Sequence, residues 1–107
     1  MGTKQSTIDF IEDQLASLEK IRSRKMFGEY ALYYGDKVVA LVCDNTLFVK
    51  VTEQGRIFMG SYYREGIAYP KAKPSIEIDP DLLEDREWLC ELIQITADSL
   101  PIPKKKP

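Results

Sequence analysis

Between Arg24 and Val51, three turn signals cut an aromatic and β-branched stretch into four short pieces, and this constrains the fold most. The pieces are Lys25 to Phe27, Tyr30 to Tyr34, Val38 to Cys43 and Thr46 to Val51. The signals are Gly28, Gly35-Asp36 and Asp44-Asn45. Aromatic and β-branched side chains suit a pleated surface. Two-residue loops of Gly, Asp or Asn supply the backbone of a tight hairpin. Consecutive hairpins predict an antiparallel meander. Leu47, Val49 and Val51 alternate with Phe48 and Lys50, which predicts one core face and one face at least partly solvated.

Helical patterns flank the meander. Ile8, Ile11, Leu15, Leu18 and Ile21 recur at three- and four-residue steps, one apolar stripe of a first helix. Ser6 or Thr7 is its expected cap, and Asp9 and Glu12 suit its positive end. After Val51 the spacing predicts a minor helix capped by Thr52, with Ile57, Phe58 and Met59 facing inward; Gly55 weakens it. Strands are expected near Ile67 to Tyr69, confined to an edge by Pro70 and Pro74, and over Ser75 to Ile78. A last helix runs from about 86 to 99, capped by Asp85. Its stripe is Trp88, Leu92 and Ile95, with Leu89 and Ile93 beside them. Pro101 and Pro103 stop it, and Lys104-Lys105-Lys106 extends a basic tail.

A helix stripe and a sheet face each need a partner, and here they cover one another. The expected fold is α+β: a two-layer sandwich of an antiparallel meander sheet of about five strands against N-terminal and C-terminal helices. The 107 residues suit one domain, 1–107, with flexible tails at 1–5 and 101–107.

Composition removes several kinds of chemistry. Histidine is absent, and with it the commonest general base and metal ligand and the Ser-His-Asp and Cys-His arrangements. No phosphate-cradling glycine motif is present. Cys43 and Cys90 form no CxxC pair and read as small buried hydrophobes. No metal site, cofactor or catalytic residue is expected. No apolar run approaches a membrane span, no secretory signal opens the chain, and Gly2 with Ser6 matches an acylation pattern too short to weigh. A cytoplasmic location is expected.

Four groups of residues are candidates for function. Arg22, Arg24 and Lys25 precede Met26, Phe27, Tyr30 and Tyr33, and cations interleaved with aromatics can follow a phosphate backbone. Against this, the net charge is −2 and the isoelectric point about 5.2, short of the basic surplus of a nucleic-acid binder. Phe27 and one set of tyrosines are therefore expected to face the core while the charges stay solvated. Gly28 is expected at a bulge or tight turn. Lys50 can line a small pocket with Tyr30, Tyr34 or Phe48, or simply be a solvated strand residue. Glu77, Asp79, Asp81, Glu84, Asp85, Glu87 and Glu91 face only Arg86 nearby; they can recruit a basic partner or merely complement a helix dipole. Tyr62 and Tyr63 sit in a loop-like context as interface anchors or as the rim of the core.

Arg24-Lys25-Met26-Phe27-Gly28, with Tyr33 and Gly35, resembles the opening of the N-terminal domain of the TfoX/Sxy family. "ALVCDNTLFVKV" (40–51) is similar to that family's second hairpin, "GRIFMG" (55–60) to its minor helix, and "IDPDLLEDREWLCELI" (78–93) to its final helix. Two departures stand out. Members commonly carry more glycines after Met-Phe-Gly, where this chain has Glu29 and Ala31. The longer competence regulators add a C-terminal helical domain, which is not found before Pro107. The resemblance implies a stand-alone, non-catalytic regulatory module of transcription, associated with competence genes alongside the cyclic-AMP receptor protein.

The expected interaction residues are Arg24, Lys25, Phe27, Gly28, Lys50, Tyr62 and Tyr63, toward a protein partner, with nucleic acid only indirect and no membrane. One alternative is direct nucleic-acid binding through Arg22, Arg24, Lys25, Lys71 and Lys73. The other is a small-molecule sensor or minor enzyme with its pocket near Lys50. Exposed sheet edges invite pairing, so a weak homodimer is also expected.

Overall fold

The computed structural model describes residues 2–101. Helix α1 (Gln5–Gln14) leads into β1 (Ile21–Met26), β2 (Glu29–Tyr34), β3 (Lys37–Cys43) and β4 (Thr46–Val49). Helix α2 (Glu53–Met59) and a 3-10 turn (Gly60–Tyr62) follow. Then come β5 (Glu65–Gly66), β6 (Ser75–Glu77), a second 3-10 turn (Pro80–Glu84) and helix α3 (Arg86–Ser99). The six strands form one sheet in the order β1-β2-β3-β4-β6-β5, every neighbour antiparallel. This is the expected α+β architecture, with the two-residue β5 completing the sheet.

All three turn signals are two-residue hairpin loops, closed by the pairs Met26–Glu29, Tyr34–Lys37 and Cys43–Thr46. Phe27 and Gly28 have φ of 51° and 81°, and Asp44 and Asn45 of 51° and 61°. Two positive values in succession are what a type I′ turn demands, because only that twist matches the flanking strands. Gly35 alone is positive in the middle loop, as in type II′.

One sheet face carries Leu32, Ala40, Val42, Leu47, Val49 and Ile76 into a core closed by Ile8, Ile11, Leu15, Leu89, Leu92 and Ile93. The stripes of the two terminal helices therefore close over the sheet. Helix α3 starts where expected, with Asp85 accepting the Trp88 N–H at 3.1 Å. Its buried line is Leu89, Leu92, Ile93, Thr96 and Ala97, rotated from the expected one, and Trp88 and Ile95 are half-buried. Trp88 instead stacks on Phe58 of α2 at 5.7 Å.

Thr52 caps α2 through the Gly55 N–H at 2.9 Å. A Cβ on Gly55 would stand 2.9 Å from Thr52 Oγ1 and 3.6 Å from Leu92 Cδ1. The glycine that weakened the helix in sequence thus leaves room for the Thr52 cap, whereas a Cβ would meet Leu92 of α3 only at ordinary contact distance. Met59 is buried and Phe58 half-buried, but Ile57 points to solvent.

Several local expectations give way. Helix α1 ends at Gln14; Leu18 then closes a turn on Leu15, and Ile21 opens β1. Leu18 and Ile21 still pack against the core, so a turn satisfies the same apolar spacing as another helical turn. Lys4, not Ser6 or Thr7, occupies the N-cap position without a side-chain cap. Val51 lies beyond β4 and is exposed. Ile67 and Tyr69 fall after β5 in an exposed loop.

Within the expected tail at 1–5, Thr3 is bonded to the sheet and Gln5 begins α1. The Thr3 N–H donates to Gly28 O at 3.0 Å, and its hydroxyl lies 2.6 Å from Glu29 Oε1 and 3.2 Å from Val42 O. Of the tail at 101–107, Pro101 is exposed, and the rest lies outside the described residues.

Candidate interaction surface

Side chains alternate across a strand, so the register assigns an outer face opposite the helices. Arg22, Arg24 and Met26 of β1, Tyr33 of β2, Leu41 and Cys43 of β3 and Phe48 of β4 lie on it. The alternation along β4 predicted this face to be at least partly solvated. Phe48 is only 7% exposed and Cys43 only 6%. The chain between β5 and β6 crosses the middle of the face, and Ala68 and Tyr69 line cavities together with Leu41. A tight turn, Ala72 N–H to Tyr69 O at 3.0 Å, shapes this crossing, with Lys71 held at φ 70°.

Two adjoining cavities result. One, about 460 Å³, opens between Met26, Phe27, Leu41, Cys43 and Tyr69. The other, about 680 Å³, runs from Val38 and Phe48 to Lys50, Lys71 and Lys73. Lys50 and Phe48 therefore meet as expected. Tyr34 does not join them, because its hydroxyl bonds Gln94 on the helix side at 3.0 Å. Tyr30 bonds Gln5 on that side at 3.0 Å and reaches only the smaller cavity. Burial, and secondarily the nearby Glu29 carboxylate, push the Cys43 thiol up from its ordinary value. A thiol kept protonated in this way is a poor nucleophile.

Phe27, expected to end a strand and face the core, lies instead in the β1–β2 turn with its ring outside, because a two-residue loop closed by Met26–Glu29 takes it out of the ladder. It is fully exposed, at 101%, in a backbone conformation that disfavours a Cβ. Met26 and Tyr69 beside it are also largely exposed. The aromatic ring is thus held out in strained geometry next to an apolar hollow. Gly28 is where expected, in the turn, and its carbonyl is held by Thr3.

The expected site residues divide into two groups. Arg24, Lys25, Phe27 and Gly28 stand at the β1 edge. Tyr62 and Tyr63 stand just before β5, the opposite edge. There they line a cleft of about 390 Å³ with Arg64, Glu77, Asp79 and Asp81. Tyr62 is 61% exposed, whereas the Tyr63 hydroxyl is engaged by Glu65, which raises its pKa. The acidic run has structural work: Asp79 and Asp85 cap helical turns, and Glu77 pairs with Arg64 at 3.1 Å. Sequence reasoning missed Thr3, Glu29 and Tyr69. No local signal marks Thr3, since its partners are remote in sequence.

The model of the TfoX N-terminal domain matches residues 13–100. The chain belongs to this family. It is 39% identical over 106 residues to an uncharacterized 12.7 kDa protein in the trpE 5′ region of Spirochaeta aurantia, covering 99% of this chain and 90% of that protein. It is 27% identical over 97 residues to protein Sxy of Escherichia coli K12, covering 89% of this chain but 46% of Sxy. This TfoX N-terminal domain thus spans about half of Sxy. The two glycine departures are accommodated. Glu29 and Ala31 sit within β2 without positive φ, and Glu29 accepts bonds from Thr3 and the Asp44 N–H. Among the described residues no helix is long and apolar enough to cross a membrane.

Proposed function

We propose that this domain is a non-catalytic regulatory module of transcription, acting in competence-type gene control by binding a partner protein at the β1–β2 end of its sheet. One observation carries the proposal: Phe27, fully exposed at left-handed φ beside Met26, Tyr69 and an apolar cavity. A ring in that position contributes nothing to the core, and exposed aromatic anchors beside a hollow are what interface hot spots use. The most reactive-looking groups nearby have structural partners. Glu29 is held by Thr3 and Asp44, and the Cys43 thiol is buried.

Direct nucleic-acid binding has one observation in its favour. Arg22, Arg24, Lys50, Lys71 and Lys73 lie along the outer face. The middle of that face is closed, however, with Ala31, Cys43 and Phe48 buried, so bases have no open platform for stacking. The test is to express the wild-type chain and Phe27→Asn in a strain lacking the gene and measure the transcripts that respond. Wild type is expected to restore them, and an equally folded Phe27→Asn to fail. Restoration by both would overturn the proposal. So would duplex DNA binding that is micromolar or tighter and falls steeply with salt.

A further inference from the structure

β1 is an edge strand: among the described residues it pairs with β2 alone. Gly35 N–H donates to Lys20 O at 3.0 Å. That bond sets the alternation of the ladder, so Arg22, Arg24 and Met26 spend their backbone groups on β2. Ser23 and Lys25 turn theirs outward. Free donors and acceptors repeating at strand spacing are a template for another extended chain.

The charged side chains of β1 itself are of one sign, with Glu12 of α1 reaching the edge from the helix side, where it accepts a bond from the Ser23 hydroxyl. The chain has five arginines. Arg56, Arg64 and Arg86 each pair with a carboxylate, at 2.5, 3.1 and 3.2 Å. Among the described residues Arg22 and Arg24 have no such partner, and both lie on the outer face of β1. The Arg22 guanidinium lies 5.0 Å from the Tyr33 ring centre, which holds its plane while leaving N–H groups free. Lys25 adds a third cation on the opposite, helix-side face of the strand. At the far end of the same strip stand Met26, Phe27 and the smaller cavity.

We propose that β1 receives an acidic, extended segment of the partner protein as a seventh strand. Alternate carboxylates of that segment pair with Arg22 and Arg24, and an apolar residue at its Met26 end enters the cavity beside Phe27. The inference rests on the partner-binding reading above and names the partner's chemistry. A second copy of this chain is disfavoured, because β1 against β1 would set arginines and lysines opposite one another. A phosphate backbone offers acceptors for the arginines but no alternating donors and acceptors for Ser23 and Lys25. The same cations that guard the edge against its own kind admit an acid.

The probe is a capped, labelled peptide as long as β1, with leucine at one end, glutamates at the next two alternate positions and serines elsewhere, made in both chain directions. Binding to the full chain is read by anisotropy, and hydrogen exchange is followed at the Ser23 and Lys25 amides. The acidic peptide is expected to bind roughly tenfold or more tightly than its glutamine counterpart and to slow exchange at those two amides. Arg22→Ala with Arg24→Ala should abolish the difference, while Arg22→Lys with Arg24→Lys restores part of it. Equal affinity for both peptides, or unchanged exchange at Ser23 and Lys25, overturns the inference. So does protection of those amides by concentrating the chain alone, or tighter arginine-dependent binding of single- or double-stranded DNA. If Phe27→Asn loses transcriptional activity while the double alanine variant keeps it, partner binding stands and the acidic strand falls.

Discussion

The two type I′ hairpin tips at Phe27-Gly28 and Asp44-Asn45 share a backbone and differ in everything attached to it. Asp44 and Asn45 tolerate left-handed φ better than most residues. The Asn45 amide oxygen also accepts the Lys4 N–H at 2.8 Å and the Thr7 hydroxyl at 2.9 Å. It thereby supplies the start of α1, which has no cap of its own. Phe27 tolerates the same conformation poorly and its ring is fully exposed. Thr3 braces both tips, through Gly28 O on one side and the Asn45 N–H on the other. One tip is stabilised by what it touches inside the fold. The other is strained in isolation, and its ring is free for something outside.

The largest effect should come from the braced tip. Asn45→Ala loses two hydrogen bonds and adds left-handed strain, a cost of about 2–3 kcal/mol. The melting temperature should fall by on the order of 10 °C in calorimetry. Asn45→Gly sharpens the point: it removes the bonds but not the tolerance for φ, and should cost visibly less. If the two variants melt together, strain plays no part at this tip.

At the other tip the sign reverses. Phe27→Asn creates the Asn-Gly pair that a type I′ turn favours and should raise stability by about 0.5–1 kcal/mol. Chemical denaturation measures this directly. A variant more stable yet inactive separates folding from recognition. A destabilised one would mean the ring serves the fold after all.

The smallest effect concerns Cys43, which lies between the tips. Its raised pKa leaves less thiolate at any given pH, so alkylation should lag behind that of an unfolded thiol and accelerate only at higher pH. Above pH 9.0, the ordinary value, the unfolded chain ionises first, and stability should decline as pH rises. Glu29→Gln removes the lesser cause and should shift the alkylation profile slightly downward in pH.

Much of the fold was legible because its signals are local. The Gly35-Asp36 and Asp44-Asn45 loops, the Thr52 and Asp85 caps and the limits of α3 depend on residues a few positions apart and lie where expected. Phe27, expected in a strand, belongs instead to the first loop. Ile57 and Ile21 were misplaced because apolar spacing alone does not say which turn of chain delivers a side chain to the core. Of the candidate site, the shared cavity of Lys50 and Phe48 was legible from strand alternation. The exposure of Phe27 was not, because an apolar ring next to a strand reads as core until the turn is placed. Tyr62 and Tyr63 were grouped with them only because nothing in one dimension shows that they lie at the other edge of the sheet.

The sequence by itself determined an antiparallel meander between two helices, because turn chemistry and side-chain period act over a few residues. Only the tertiary structure decided that the β5–β6 crossing roofs the outer face, that Thr3 ties two hairpins, and that two arginines and a bare phenylalanine share one edge. Those are contacts between residues distant in the chain. They arise when burial of the common core fixes which strands lie side by side, and local preference cannot specify that.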